Sequence, residues 1–132
     1  MSETAHSLPQ TFAVLDPRLR LTPVAVTPQL YADLDRDFDD FRGHALIAEY
    51  AFERDWPTWE CHPAGDELVL LLAGRARMCL RATEGEREIA LTEPGAYVIV
   101  PAGTWHTARI DVPTRMLFIT PGEGTENRET PP

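Results

Sequence analysis

The chain reads as a series of short apolar runs that are separated by proline, glycine and polar turn residues. Eight such runs follow one another between positions 45 and 120. They are Ala45–Glu53, Trp59–His62, Glu67–Leu72, Arg75–Arg81, Arg87–Leu91, Ala96–Val100, Trp105–Ile110 and Arg115–Thr120. Runs of this length are typical of strands, and eight strands are enough to close a small barrel or jelly roll around side chains or one ligand. The sequence therefore predicts an all-β domain over residues 45–120.

An N-terminal extension of residues 1–44 and a C-terminal tail of residues 121–132 flank this predicted domain. In the extension, Phe12–Leu15 and Pro23–Val26 have the composition of strands. A helix of about residues 28–41 should follow, because apolar residues recur there at intervals of four, four and three: Leu30, Leu34, Phe38 and Phe41. The tail is polar and rich in glycine, threonine and proline, so we expect it to be flexible.

Length, composition and charge limit the classes of function. Hydrophobic residues make up 43% of the 132 residues, which suits one compact domain with a buried core. The formal net charge is −9 and no basic stripe offsets it, so nucleic acid is not an expected partner. No apolar run approaches the roughly 20 residues that span a bilayer, and Met1–His6 lacks the basic and apolar regions of an export signal. We therefore expect a cytoplasmic protein that binds neither nucleic acid nor a membrane.

Two segments of the chain offer carboxylates and imidazoles that can close around one metal ion. Glu60 and His62 lie two residues apart, so on a strand their side chains point to the same face. A turn over residues 63–65 would return Asp66 or Glu67 to their side, with Asp66 as the acid if the turn is shifted by one residue, and a second turn precedes His106. Two imidazoles with one or two carboxylates suit a divalent cation such as iron, manganese, nickel or zinc. The sequence thus predicts a metal site at Glu60, His62, Glu67 and His106.

The same two segments resemble the two sequence motifs of the cupin superfamily. They read Glu60-x-His62-x4-Glu67-x6-Gly74 and Gly95-x5-Pro101-x-Gly103-x2-His106. The resemblance covers about residues 45–120 and implies a cupin-type double-stranded β-helix, which is a jelly-roll barrel. It also implies that His62, Glu67 and His106 occupy metal-ligand positions. Glu60 stands where these proteins usually carry a first histidine.

Glu60 leaves two interpretations open. As a fourth ligand it would give a site of two imidazoles and two carboxylates, which suits a harder cation such as manganese or iron(II). Off the metal it would be a catalytic acid or base beside a triad of two histidines and one carboxylate, as in non-haem iron oxygenases. Two further positions depart from the motifs, because Arg54 replaces a glycine and Ile110 replaces an asparagine.

Two classes of function follow from this reading. The first is a metal-dependent enzyme, either a dioxygenase, an isomerase or a lyase, that acts on a small oxygenated metabolite. The second is a non-catalytic module that binds or senses a metal or metabolite, because one fold supports many chemistries. Candidate residues of the substrate pocket are Tyr50, Met78 and Phe118.

The run of residues 68–72 predicts a partner for the barrel. All five residues are leucine or valine, so both faces of this strand are apolar and its outer face should be covered. The predicted helix or a second subunit can cover it. Together with the family resemblance, this run leads us to expect a homodimer.

Overall fold

The structure, a computed structural model, describes residues 4–132. Over these residues the chain forms eleven β-strands and one α-helix. In chain order they are β1 (Thr11–Leu15), β2 (Leu21–Ala25), α1 (Leu30–Asp37), β3 (Ala45–Phe52), β4 (Trp59–Cys61), β5 (Glu67–Ala73), β6 (Ala76–Ala82), β7 (Gly85–Leu91), β8 (Tyr97–Val100), β9 (Trp105–Arg109), β10 (Thr114–Thr120) and β11 (Glu126–Arg128). Residues 1–3, which belong to the predicted N-terminal extension and to the segment Met1–His6, lie outside this description.

The strands form two antiparallel sheets that share one core. One sheet has six strands in the order β2-β1-β3-β10-β5-β8, and the other has five in the order β11-β4-β9-β6-β7 over the described residues. Side chains from both sheets meet in a single buried cluster, in which Val69, Leu71, Met78 and Met116 are fully buried. Each of the eight predicted runs coincides with one strand to within two residues. The prediction of an all-β fold is therefore confirmed.

The N-terminal extension continues the six-stranded sheet, because β1 pairs with β3. Its helix is shorter than predicted and ends at Asp37, and a short 3-10 turn follows over Asp39–Phe41. The residues of this turn have positive φ angles of 57°, 53° and 60°. Acidic side chains are unfavourable near the negative end of the helix dipole, which accounts for the early end. Leu30 and Leu34 pack with residues of β1 and β3 in a second core cluster.

The C-terminal tail, which we predicted from composition to be flexible over residues 121–132, contains a short strand. Glu126–Arg128 forms β11 and pairs with β4. Without β11, the short strand β4 would leave an unpaired edge beside β9, so backbone hydrogen bonding stabilises the pairing even though the side chains of β11 are exposed. Composition does not reveal the strand β11, because its side chains contribute little to the pairing with β4. Among the described residues, no helix combines the length and the apolar character that crossing a bilayer requires.

Candidate metal centre

Three buried side chains converge at one end of the core. His62 follows β4, Glu67 begins β5 and His106 lies in β9, opposite Glu60 of β4. One Glu67 oxygen, Oε1, is 3.0 Å from His106 Nε2, and the other, Oε2, is 3.3 Å from His62 Nε2. All three ligand atoms lie within 4.8 Å of one another. The side chains are only 0–5% exposed, so bulk water does not separate them.

The hydrogen bonds of the two imidazoles set which nitrogen faces this centre. His106 Nδ1 lies 3.0 Å from the carbonyl oxygen of Thr104, and because a carbonyl only accepts, Nδ1 carries the hydrogen. The hydroxyl of Thr125 donates its one hydrogen to the carbonyl of Gly122 at 3.0 Å. His62 Nδ1, at 2.8 Å from the same hydroxyl oxygen, must therefore donate to it. Each neutral ring thus turns a lone pair at Nε2 toward Glu67.

These atoms fit a cation. His62 Nε2, His106 Nε2 and Glu67 Oε1 are buried, and none has a hydrogen-bond partner within the part of the chain that the structure describes. Two imidazole lone pairs that face a carboxylate repel it unless a positive charge lies between them, and buried polar groups without partners are rare. Two imidazoles and one carboxylate are common ligands of first-row divalent ions. The residues present therefore fit a divalent metal ion.

A proton can substitute for the metal at this centre. Burial raises the pKa of Glu67, but its interactions with the rings of His106 and His62 outweigh burial and lower that pKa to about 2, so the carboxylate is ionised. Burial lowers the pKa of His106, but the hydrogen bond that its protonated ring can donate to Glu67, together with the charge of Glu67, outweighs burial and raises that pKa. Protonation of His106 therefore competes with metal binding.

Glu60 borders this group. Its Oε1 is 3.9 Å from His62 Nε2 and its side chain is 32% exposed, so it reaches the centre from the solvent side. It is not part of the compact ligand group formed by His62, Glu67 and His106 among the described residues. Burial, followed by the charge of Glu67, raises the pKa of Glu60.

The centre opens into a cavity of about 980 Å³. Glu60, His62 and Glu67 reach its surface, whereas His106 lies behind them. Much of the wall is aromatic: Tyr31, Phe41, Tyr50, Phe52, Trp56 and Phe118. Tyr31 of α1 and Tyr50 of β3 are hydrogen-bonded through their hydroxyls, which joins the helix to the barrel at this wall.

Comparison with known proteins shows the fold. No family model matches the chain, and no curated protein matches it. The solved structures that match the chain include a dioxygenase and a decarboxylase. Hydroquinone 1,2-dioxygenase from Sphingomonas sp. TTNP3, with 4-hydroxybenzoate bound, has a TM-score of 0.50 and 19% identity over 58% of this chain and 58% of that chain. Oxalate decarboxylase from Bacillus subtilis has a TM-score of 0.52 and 21% identity over 64% of this chain and 23% of that chain.

A cupin-2 domain protein from Shewanella frigidimarina NCIMB 400 is also similar, with a TM-score of 0.48 and 18% identity over 64% of this chain and 71% of that chain. The likeness to the dioxygenase and the decarboxylase, together with the two antiparallel sheets, shows that the chain has the cupin fold. The alignments span less than two thirds of the dioxygenase and decarboxylase chains. At these identities the likeness establishes the fold and leaves the activity open.

Both cupin motifs contribute turns that hold the ligands. The backbone N–H of Gly103, in the second motif, donates to the carbonyl of His62 in the first at 3.0 Å. The carboxylate of Asp66 accepts from the N–H of Ala102 at 2.9 Å, so it holds the second turn while its neighbour Glu67 points inward. Ile110, at the position that cupins usually fill with asparagine, is buried in the core.

Two of the three predicted pocket residues line the cavity, namely Tyr50 and Phe118. Met78, the third, is fully buried in the core and is not among the residues that line the cavity. In β6 it opposes Ala108, two residues beyond His106 along β9, so its side chain lies one layer away from the metal centre. Trp56 does line the cavity, with its ring centroid 6.2 Å from that of His106.

Sequence reasoning missed four residues that shape the centre. Thr104 and Thr125 bind the two imidazoles, and Thr120 donates to Glu67 Oε2 at 2.6 Å. Tyr31 reaches the cavity from α1. A threonine or tyrosine has no distinctive spacing in a motif, and two of the threonines follow the predicted barrel or end it. Their roles become visible only when the strands are brought together.

Proposed function

We propose that this cupin is a metal-dependent enzyme that acts on a small oxygenated molecule. His62, Glu67 and His106 would hold one divalent ion, either iron, manganese, nickel or zinc. The observation that carries the proposal is the convergence of two imidazole lone pairs and one oxygen, Oε1, of the ionised Glu67 carboxylate. All three atoms lack hydrogen-bond partners in the described chain, and they lie beside a cavity of about 980 Å³. Three protein ligands leave positions for substrate or water, as in catalytic rather than structural sites.

The chemistry available at such a centre is limited. A bound divalent ion polarises a carbonyl or enolate, lowers the pKa of bound water or, as iron, activates dioxygen. These abilities support a dioxygenase, an isomerase or a lyase.

Glu60 is the chain's candidate for proton transfer. It stands between the ligand group and the cavity, and its raised pKa brings it closer to neutral pH, where a general base works best. We therefore propose that Glu60 takes a proton from the substrate rather than serving as a fourth ligand.

The charge of the cavity wall favours a substrate that is neutral apart from any group that binds the metal. Acidic residues outnumber basic ones in the wall: Asp35, Asp40, Glu53, Asp55, Glu60 and Glu67 stand against Arg54. A divalent ion would offset two of these charges. Like charges near the entrance disfavour an anionic ligand, whereas the aromatic wall favours a planar or apolar one. A neutral diketone, enol or phenol fits both conditions.

Elemental analysis by plasma mass spectrometry tests the metal site. The untagged protein should contain about one equivalent of a first-row metal, and the His62→Ala/His106→Ala variant should contain none. His6→Ala is a matched control, because this exposed histidine lies outside the ligand group and its loss should leave the metal content unchanged. A protein that stays metal-free even after anaerobic reloading would refute the site.

A second experiment tests the enzyme. The metal-loaded protein is screened against diketones and enols, and Glu60→Gln should keep the metal but lose turnover. If Glu60→Gln loses the metal as well, Glu60 is a ligand. If the metal has no exchangeable water and no substrate is turned over, the protein is the binding or sensing module instead.

A further inference from the structure

We propose that the C-terminal segment belongs to the metal centre, and that Thr125 is a positioning residue that holds His62 in its metal-binding orientation. The segment comprises residues 121–128, which composition predicts to be flexible. This role of Thr125 rests on the proposed metal site, but the tautomer of His62 that it requires can be measured without metal.

The C-terminal segment is seated against the barrel at several points. Asn127 pairs with Glu60 and Arg128 with Trp59 in the strand pair β11–β4. The guanidinium of Arg128 also lies 5.7 Å from the centroid of the Trp105 ring, within the range of a cation–π contact. The segment is therefore anchored on both sides of Glu60 and on the strand that carries His106.

A turn before β11 delivers Thr125 to His62. The N–H of Thr125 donates to the carbonyl of Gly122 at 3.2 Å, and Gly124 inside the turn has a φ of 70°, a conformation that favours glycine. Gly122, Gly124 and Thr125 all line the cavity. The turn thus places one hydroxyl beside Nδ1 of the His62 ring.

The hydroxyl of Thr125 can only accept from His62, because it donates its hydrogen to Gly122. This arrangement requires the tautomer with hydrogen on Nδ1, which leaves Nε2 free to bind a metal. It also fixes the plane of the ring, since a ring flip would bring a carbon atom against the hydroxyl.

The two histidines differ in how they are held. His106 donates to a backbone carbonyl two residues away in its own turn, whereas His62 depends on a side chain 63 residues away. A side-chain substitution can remove the second interaction but not the first. This difference makes His106 an internal control for every measurement on His62.

The variant Thr125→Val tests the proposal, because valine keeps the shape of threonine and removes the hydroxyl. Loss of such a partner typically weakens metal binding by about 10–100-fold, so the dissociation constant for Zn²⁺, measured by competition with a chromophoric chelator, should rise by this factor. Thr125→Ser keeps the hydroxyl and should restore most of the affinity. Thr83→Val is the matched control: Thr83 is exposed in the turn between β6 and β7, and its hydroxyl bonds only the adjacent Glu84.

Nitrogen NMR of the metal-free protein gives the second readout. At about pH 8.5, where free imidazoles are neutral, wild-type His62 should carry its hydrogen on Nδ1. In Thr125→Val it should become a mixture of tautomers, while His106 keeps the hydrogen on Nδ1 in both proteins. Wild-type His62 with hydrogen on Nε2 would overturn the proposal, as would unchanged zinc affinity in a folded Thr125→Val variant. Failure of the wild-type protein to bind Zn²⁺ would instead count against the proposed function, and the tautomer measurement would still decide the role of Thr125.

Discussion

Gly74, the glycine that ends the first cupin motif, should accept a side chain only at a large cost in stability. Its φ is 83°, and a Cβ added there would lie 2.4 Å from the carbonyl oxygen of Pro113 and 2.5 Å from the hydroxyl of Thr114. That hydroxyl is bonded to the backbone of Arg75 and Val112, so it cannot move without losing those bonds. The close approach of Gly74 to Pro113 and Thr114, with the hydrogen bonds between Arg75 and Thr114, therefore holds the turn between β5 and β6 against the start of β10.

The cost of Gly74→Ala has two parts. The left-handed backbone costs a residue with a Cβ about 1–2 kcal/mol, and overpacking a closed site costs about 1–3 kcal/mol more. The sum is about 2–5 kcal/mol of unfolding free energy, in a domain whose total is about 5–15 kcal/mol. At roughly 3–4 °C per kcal/mol for a chain of this length, Tm should fall by roughly 6–20 °C.

Gly95→Ala is the matched control for this prediction. Gly95 also lies in a motif and has a φ of 95°, but a Cβ there would meet no atom within 4 Å. Only the backbone cost applies, so we expect a loss of about 1–2 kcal/mol. Urea unfolding of both variants, with equal m-values, measures the difference directly. Equal losses in the two variants would refute the argument from the contact.

Two further predictions concern the centre and the outer face of the barrel. Metal affinity should fall as pH falls through the raised pKa of His106. Below that pKa the protonated ring pairs with Glu67, so the metal must displace a proton. The affinity should therefore drop about tenfold per pH unit. Zinc titrations between pH 6 and 8 measure this, and a flat profile would contradict it. On the outer face of the six-stranded sheet, Tyr97 and Ile99 are 57% and 53% exposed beside β5, so we expect a homodimer that Ile99→Glu dissociates. Light scattering decides this, and a monomeric wild-type protein would refute it.

Much of the fold was predictable because the barrel strands are local features. Alternation of side chains and the positions of proline and glycine define a strand within a few residues, and the eight predicted runs required no knowledge of their partners. The strand β11 was not predictable in this way. Its three residues, Glu126, Asn127 and Arg128, are exposed and polar, and the backbone bonds that hold them depend on an edge more than sixty residues away in the chain.

The candidate ligands of the centre were also predictable, because parity along β4 places Glu60 and His62 on one face and the resemblance to the two motifs adds Glu67 and His106. Parity cannot decide what a side chain on that face does, and it left two roles open for Glu60. The structure adds the distances and the burial: Glu67 contacts both imidazoles, whereas Glu60 approaches only His62, at 3.9 Å, and faces the cavity. A carboxylate that is buried between two imidazoles is suited to hold a cation, and one that is partly exposed beside them, with a raised pKa, is suited to exchange a proton with a substrate. The two carboxylates thus have different environments within one centre, and that difference supports the proposed roles of Glu67 as a ligand and Glu60 as a base.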